Sequence, residues 1–204
     1  MTVTLALLRH GETPWSRVNR VQGRTDIGLT EPAAAVLAER SLPPSCAGLR
    51  VFTSPLARCT QTVAQLRLAA PTIEPRLIEM AWGQWEGRRL ADLRAELGAA
   101  MAENEARGWD FMAPAGESPR LVWQRVLPWL AERAALREPT LAVTHRGVMR
   151  VVFAQATGWD MLGKPPAKLD WNALQLFTLD EHGMPTLQRL NLPLVGAVDA
   201  GRQP

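Results

Sequence analysis

The sequence is poor in several residue types that support particular chemistries. It has no tyrosine and only two cysteines, Cys46 and Cys59, among 204 residues. The absence of tyrosine excludes tyrosine-based catalysis. Two cysteines cannot build a disulfide framework, and these two lack the spacing of metal ligands. We therefore interpret them as ordinary thiols of a cytoplasmic protein.

Long apolar runs and lysine are also scarce. No run of about 18 apolar residues occurs, so we expect no membrane-spanning helix. The first residues lack a basic segment ahead of an apolar one, so we expect no secretory signal and a cytoplasmic location. Lys164 and Lys168 are the only lysines, and the net charge of +3 comes almost entirely from arginine. The arginines form no clustered basic stripe, which argues against a nucleic-acid partner. Their planar forks suit phosphate.

The composition and the alternation of segments predict a globular α/β protein. Hydrophobic residues make up 47% and charged residues 21% of the chain, as in soluble domains. Strand-like and helical segments alternate, which predicts a three-layer α/β/α sandwich with a mostly parallel sheet and helices on both faces. We expect one domain over residues 1–194, with a helical cap or rim insertion at about 85–120, and a loose tail over 195–204. The predicted strands span 2–8, 49–53, 72–75, 140–144, 173–179 and 185–192, and the predicted helices span 31–40, 54–68, 88–106, 120–136 and 147–157.

Three polar segments directly follow predicted strands, at residues 9–11, 54–58 and 144–145. In sheets of this kind, functional groups gather at the carboxyl ends of the strands. The long polar segment over 9–28 points the same way, because long loops in compact domains are usually functional. We therefore expect one site where these segments meet.

The sequence has three histidines, and two of them lie in these segments. His10 and His145 each follow an apolar strand beside an arginine, whereas His182 lies in a hairpin turn and is expected to be solvated. A metal site would need a third ligand and H-x-x-x-H or H-x-H spacing, and neither is found. Arginines beside histidines repel a cation and suit an anion such as phosphate.

Ordered segments along residues 3–192 then carry a resemblance to the histidine phosphatase, or phosphoglycerate mutase-like, family. One matching segment would be weak evidence, but six segments in the same order as in the family are specific evidence for it. Within the family, the chain resembles the α-ribazole and broad-specificity phosphatases. The matching segments are Arg9-His10-Gly11-Glu12-Thr13, Gln22-Gly23-Arg24-Thr25-Asp26 with Leu29-Thr30, Ser54 to Thr62, Leu77-Ile78-Glu79 with Gly83 to Gly87, Gly116-Glu117-Ser118, and Val143-Thr144-His145.

The resemblance implies roles for particular residues. His10 resembles the nucleophile that forms a phosphohistidine, with its other ring nitrogen held by the carbonyl of Gly11. Arg9, Arg58 and His145 match the phosphate pocket, where two arginine forks and an imidazolium would stabilise the transferred phosphoryl group without a metal.

A second set of residues completes the implied site. Glu79 resembles the proton donor, and we expect burial to raise its pKa; Glu86 is the alternative donor, although a helix-start role fits it better. Gln22 and Gly23 match the loop whose backbone approaches the phosphate.

Two positions depart from the family pattern. Ser16 stands where the family often has an asparagine that helps to hold the phosphate, and its hydroxyl is a candidate replacement. Arg146 intervenes between His145 and Gly147, where the family usually has a small residue. It would either add charge at the edge of the pocket or point to solvent, and we favour solvent slightly.

These features predict a phosphatase that acts through phosphohistidine on a small phosphorylated metabolite, with no cofactor and no metal. Two alternatives stay open. One is a cofactor-dependent phosphoglycerate mutase, which we rank lower because the family's mutases are expected to be longer after residue 87. The other is a catalytically silent module that binds a phospholigand. We expect a small phosphate ester as partner, no nucleic acid or membrane, and a monomer or homodimer.

Overall fold

The computed structural model describes residues 2–196, which form two sheets and seven α-helices. The strands are β1 (Val3–Arg9), β2 (Arg40–Ser41), β3 (Arg50–Thr53), β4 (Thr72–Ile73), β5 (Thr140–Thr144), β6 (Ala173–Leu179), β7 (Pro185–Pro193) and β8 (Val195–Gly196). The α-helices are α1 (Pro14–Arg17), α2 (Glu31–Ala38), α3 (Ala57–Gln65), α4 (Leu90–Leu97), α5 (Ala99–Glu105), α6 (Pro119–Ala135) and α7 (Arg146–Thr157).

The main sheet has six strands in the order β4-β3-β5-β1-β6-β7. The pairs β4–β3, β3–β5 and β5–β1 are parallel, whereas β6 and β7 add antiparallel pairs at one edge. The predicted α/β fold with a mostly parallel sheet is confirmed. Strands β1, β3 and β5 lie side by side, so their carboxyl ends share one edge of the sheet.

The two faces of the sheet bury separate cores because side chains alternate along each strand. In β1, Leu5 and Leu7 pack in the core that contains Val126 of α6 and Val152 of α7. Ala6 and Leu8 point to the opposite face, in the core that contains Cys59 and Val63 of α3. Helices therefore cover both faces of β1, as the predicted three-layer sandwich requires.

A helical insertion separates β4 from α6. Trp85, Leu93, Met101 and Ala113 form a small core of their own there. The continuous helix predicted over 88–106 is wrong, because the chain breaks into α4 and α5 at Gly98, whose φ is +51°. Glycine adopts this backbone conformation without the strain that a side chain would add.

The ends of two other predicted segments also differ. The loop predicted over 9–28 contains the short helix α1, which begins at Pro14 after the capping residue Thr13. Val195 and Gly196, predicted to begin the loose tail, instead pair with β2 as strand β8. The remainder of the predicted tail lies outside the described residues.

The described helices are short or amphipathic. None within residues 2–196 combines the length and apolar character needed to cross a bilayer. The helix α6 is the longest of them at 17 residues, and it carries charged side chains such as Arg125 and Glu132.

Candidate active site

The carboxyl edge of the sheet brings the two predicted histidines together. His10 follows the last residue of β1 and His145 follows the last residue of β5. Their ring centroids are 5.2 Å apart, and the His10 backbone N–H donates to the Thr144 carbonyl at 3.0 Å. The backbone pairing of β1 with β5 thus sets the spacing of the two imidazoles.

The His10 ring is oriented by its own backbone. Its Nδ1 lies 2.7 Å from the Gly11 carbonyl oxygen. A carbonyl only accepts hydrogen bonds, so Nδ1 carries the proton and Nε2 keeps a free lone pair. Burial, followed by the charges of Arg9 and Arg58, lowers the pKa of His10 well below its usual value. At neutral pH the ring is therefore uncharged, which is the state that a histidine nucleophile requires.

Arg58 links the second histidine to the Gly23 loop. Its side chain is fully buried. Nε donates to Nδ1 of His145 at 3.1 Å, while the two terminal nitrogens donate to the carbonyls of Gly23 at 2.6 Å and Thr25 at 3.0 Å. A guanidinium has five N–H bonds, so two remain for a ligand.

His145 is neutral in this arrangement, which differs from the imidazolium expected from the sequence. Its Nδ1 accepts from Arg58, so the proton resides on Nε2, which donates to Oγ of Ser54 at 2.7 Å. Burial, and then the charges of His10 and Arg58, hold the pKa of His145 well below its usual value. An imidazolium would face the guanidinium of Arg58 at hydrogen-bond distance.

Arg9 carries a polar group that the protein leaves unsatisfied. Its Nε is buried, and no group among the described residues accepts from it. Burial, followed by the positive charge of Arg146, lowers the pKa of Arg9 from its ordinary value. An unsatisfied buried donor costs about 1–3 kcal/mol. An anion bound beside His10 would remove that cost.

Glu79 is buried against the first turn of α7, with 8% of it exposed. Oε1 accepts from the backbone N–H of Met80 at 2.8 Å, and the Gly147 N–H lies 3.1 Å from Oε1 and 3.2 Å from Oε2. Burial raises the pKa of this carboxyl, and it outweighs the opposing hydrogen bonds. The shift has the direction expected for a proton donor.

Glu86, the alternative donor, has a different environment. Its carboxylate accepts from the backbone N–H groups of Arg24 and Thr25, both at 2.8 Å, and from the Thr25 hydroxyl. Burial acts to raise the pKa of Glu86, but these hydrogen bonds lower it below its ordinary value. Glu86 is therefore an ionised group that holds the loop after Gly23.

Two further candidates are engaged within the loop that follows β1. The Ser16 hydroxyl donates to the Thr13 carbonyl at 3.1 Å and accepts from the Thr13 N–H at 2.9 Å. The Gln22 side chain accepts from the Thr13 hydroxyl at 2.7 Å and lies 3.4 Å from the Ile27 carbonyl. These contacts shape the loop, and direct phosphate binding by Ser16 and Gln22 stays a prediction.

Sequence reasoning assigned no role to three side chains here, of which two contact His145 and the third holds the backbone of Gly11 and Arg58. Ser54 accepts from His145, and the Cys59 sulfur lies 3.4 Å from His145 Nε2. Thr62 accepts from the Gly11 N–H at 2.9 Å and donates to the Arg58 carbonyl at 2.6 Å. The spacing of Arg58 and Thr62 was the available signal, because residues four apart share a helix face.

A charged network supports the segment around Glu79. Glu117 accepts from Arg125 Nε at 3.0 Å and lies 3.1 Å from Arg24 Nη2. It also exchanges hydrogen bonds with Ala81, whose carbonyl accepts from the Glu117 N–H at 2.8 Å. The Arg24 side chain extends to the Glu79 carbonyl at 3.4 Å. Glu117 thus joins the Gly23 loop, the Glu79 segment and α6.

Arg146 and His182 both lie at the surface. The Arg146 side chain is exposed, with its Cζ 4.7 Å from the centroid of the Trp171 ring. The His182 side chain is 78% exposed in the turn between β6 and β7, as expected for a solvated residue. Within residues 2–196, no three His, Cys, Asp or Glu side chains are grouped so that they could hold a metal ion.

Comparison with known proteins places this geometry in a family. The model of the histidine phosphatase superfamily (branch 1) matches residues 5–193. The chain belongs to this superfamily. It is therefore an enzyme of phosphoryl transfer, a phosphatase or a phosphotransferase.

Individual relatives include both kinds of enzyme. A 2,3-bisphosphoglycerate-dependent phosphoglycerate mutase from Brucella ovis is 31% identical over 159 residues, which cover 72% of this chain and 77% of the relative. A solved mycobacterial glucosyl-3-phosphoglycerate phosphatase matches with a TM-score of 0.73 and 25% identity, covering 94% of this chain and 100% of that one. An α-ribazole phosphatase from Shigella flexneri shares the fold, with a TM-score of 0.71, 24% identity, and coverage of 96% and 99%.

Proposed function

We propose that this histidine phosphatase superfamily member hydrolyses small phosphate monoesters through a phosphohistidine at Nε2 of His10, without a metal. The observation that carries the proposal is the His10 ring, whose Nδ1 is fixed on the Gly11 carbonyl at 2.7 Å. This hydrogen bond leaves Nε2 free to attack phosphorus. The unsatisfied Nε of Arg9, the residue before His10, is the proposed donor for the phosphoryl oxygens.

In the first step, Nε2 of His10 forms a bond to phosphorus as the ester P–O bond breaks. Arg9 and the two remaining N–H bonds of Arg58 stabilise the charge of the phosphoryl oxygens, while His145 accepts from Nε of Arg58 and so holds that guanidinium in place. Glu79 enters with its proton and delivers it to the departing alkoxide.

In the second step, water attacks phosphorus and the N–P bond breaks. The Glu79 carboxylate takes a proton from that water and thereby returns to its acid form. The N–P electron pair returns to Nε2, so the imidazole is again neutral. Phosphate leaves, and the enzyme is unchanged after one turnover.

The relatives support hydrolysis and also define the second candidate. The present chain matches the mycobacterial phosphatase over the whole length of that protein. Phosphoglycerate mutase is the alternative because the Brucella ovis relative carries that name. Its aligned 159 residues are 77% of it, so this mutase is about as long as the present chain. The expected difference in length therefore does not separate the two activities.

We propose that the insertion at about 85–120 forms a rim beside this site, because its Glu86 holds the backbone of Arg24 and Thr25. It is helical, with a small core of its own, and it follows Glu79 along the chain.

A direct test uses p-nitrophenyl phosphate in the presence of EDTA. We expect EDTA-resistant phosphate release and, after rapid quenching under alkaline conditions, a phosphorylated peptide that contains His10. Loss of turnover in EDTA would contradict the metal-independent mechanism. Conversion of 3- to 2-phosphoglycerate that depends on added bisphosphoglycerate, at a rate above that of phosphate release, would favour the mutase.

The pH dependence of kcat/KM for an alkyl phosphate should be bell-shaped. Activity is lost as pH falls through the lowered pKa of His10, because a protonated ring cannot attack. It is also lost as pH rises through the raised pKa of Glu79, because the donor is then ionised. An alkaline limb of equal size with p-nitrophenyl phosphate, whose leaving group needs no proton, would contradict this assignment of Glu79.

Substitution of Gly23 by alanine should disturb the Gly23 loop, whose backbone is expected to approach the phosphate. Gly23 has φ of +55°, and a Cβ there would lie 1.9 Å from Oε1 of Glu86. Either the loop or the Glu86 side chain that holds it must shift, and we expect kcat/KM to fall about 100-fold, the effect of an ångström-scale misplacement. Steady-state kinetics with p-nitrophenyl phosphate measures this.

Gly158→Ala is the matched control. Gly158 also has a positive φ, +71°, but a Cβ there meets nothing within 4 Å. Backbone strain of about 1–2 kcal/mol should lower its melting temperature while its activity stays at the wild-type level. Equal activity of the two variants would show that contact of the Gly23 loop with Glu86 is unimportant.

A further inference from the structure

Arg146 lies between two groups of the active site. It follows His145 directly and begins α7, and the next residue, Gly147, donates its backbone N–H to Glu79 at 3.1 Å. Glu79 is the proton donor of the proposed mechanism, so it faces the leaving group rather than the transferred phosphoryl group. The first turn of α7 therefore places Arg146 on the leaving-group side.

Trp171 holds the Arg146 guanidinium at this edge of the sheet. The two are stacked, with Cζ of Arg146 4.7 Å from the ring centroid. Trp171 lies just before β6, which runs antiparallel to β1 and aligns Gln175 with Leu7. The start of β6 and the end of β1 therefore share the edge that carries His10. A stacked guanidinium has one face covered and its N–H bonds directed outward, where a ligand can reach them.

Within residues 2–196, Arg146 lacks an ion-pair partner, although burial lowers the pKa of its guanidinium and the nearby carboxylate of Glu79 opposes that shift. No carboxylate there forms an ion pair with it, and its side chain donates no hydrogen bond to a described group. Arg150, one turn later, likewise has no carboxylate partner there and stacks on Trp159 at 4.9 Å. By contrast, exposed arginines elsewhere, such as Arg94 of α4 and Arg120 of α6, pair with carboxylates.

We propose that Arg146 binds a second anionic group on the leaving group of the substrate. The preferred substrates are then phosphate monoesters that carry a carboxylate, or another anion, close to the ester oxygen. This inference rests on the proposed function, because that function defines which side of Glu79 the leaving group occupies. Arg9 and Arg58 already serve the transferred phosphoryl group, so Arg146 determines specificity rather than the chemical step.

The first test compares 2-phosphoglycolate with 2-hydroxyethyl phosphate, which differ by a carboxylate in place of a CH₂OH group. We expect wild-type kcat/KM to favour 2-phosphoglycolate, and Arg146→Gln to reduce that preference by about 10-fold or more, as for loss of a charged hydrogen bond. Arg137→Gln is the matched control, since Arg137 is exposed beyond α6 and precedes the opposite end of β5.

Two outcomes of this test would overturn the inference. One is that the wild type shows no preference for 2-phosphoglycolate, or that Arg146→Gln leaves this preference unchanged. The other is an equal loss on both substrates, which would mean that Arg146 holds the transferred phosphoryl group instead. Arg137→Gln should leave both kcat/KM values and their ratio unchanged. A similar change of the ratio in Arg137→Gln would also contradict the inference, because net charge alone would then explain the effect of Arg146→Gln.

Calorimetric binding in a His10→Ala background separates this inference from the proposed function. The same two esters are titrated into His10→Ala and into His10→Ala/Arg146→Gln. Tighter binding of 2-phosphoglycolate that disappears in the double variant supports the Arg146 site even if the wild type shows no turnover. Equal affinities, or no binding of either ester, would overturn it.

Discussion

Replacement of His10 by alanine is expected to reduce phosphate ester hydrolysis by at least about 10⁴-fold, as for loss of a covalent nucleophile. Nε2 of His10 has a free lone pair because Nδ1 is committed to Gly11, and its lowered pKa keeps the ring neutral. His145 cannot substitute for it, because its Nδ1 accepts from Arg58 and its Nε2 donates to Ser54. Steady-state kinetics on p-nitrophenyl phosphate measures the loss.

Two further variants make this result specific. His182→Ala removes a histidine whose side chain is 78% exposed, and its activity should equal that of the wild type. His10→Asn retains an amide that can donate to the Gly11 carbonyl but has no nucleophilic nitrogen. It should fold like the wild type by circular dichroism and still form no phosphoenzyme. Wild-type turnover by either His10 variant would exclude the phosphohistidine mechanism.

The arrangement of the sheet could be predicted from the sequence because a small number of physical rules is sufficient to determine it. Apolar strands alternating with helices predict a mostly parallel sheet, and such sheets expose their functional groups at the carboxyl ends of the strands. His10 and His145 each directly follow such a strand, so their proximity could be expected. The observed ring separation of 5.2 Å agrees with it.

The state of His145 was not accessible in the same way. The sequence shows a histidine in an arginine-rich site, and a cationic ring is the form that suits phosphate. Only the folded arrangement shows that Arg58 donates to its Nδ1 and that Ser54 accepts from Nε2. Long-range contacts of this kind join residues that are 87 and 91 positions apart, and local sequence patterns do not encode them.

The segment over 88–106 was predicted as one helix, and the structure divides it into two. Its alanine, leucine and glutamate content favours helix over 88–106, and propensity alone gives no reason to stop at Gly98. The break arises because Gly98 adopts a φ of +51°, which lets α4 and α5 place Leu93 and Met101 in one small core with Trp85. Burial of these side chains decided the local structure against propensity.

Substitution of Glu79 by glutamine should impair substrates according to their leaving group. Glutamine preserves the shape of the side chain, and its carbonyl oxygen can still accept from Met80 and Gly147, but it has no acidic proton to deliver. For an alkyl phosphate we expect kcat to fall about 10²–10⁴-fold, the contribution of general acid catalysis. For p-nitrophenyl phosphate, whose leaving group is stable as an anion, the first step should be much less affected.

Glu86→Gln tests whether this leaving-group dependence belongs to Glu79. The Glu86 carboxylate holds the backbone of Arg24 and Thr25, so its loss should weaken phosphate binding for every substrate by a similar factor. Equal losses on alkyl and p-nitrophenyl substrates in Glu79→Gln, with unequal losses in Glu86→Gln, would reverse the two roles. The raised pKa of Glu79 and the lowered pKa of Glu86 predict the opposite result, since only a carboxyl that keeps its proton can protonate an alkoxide.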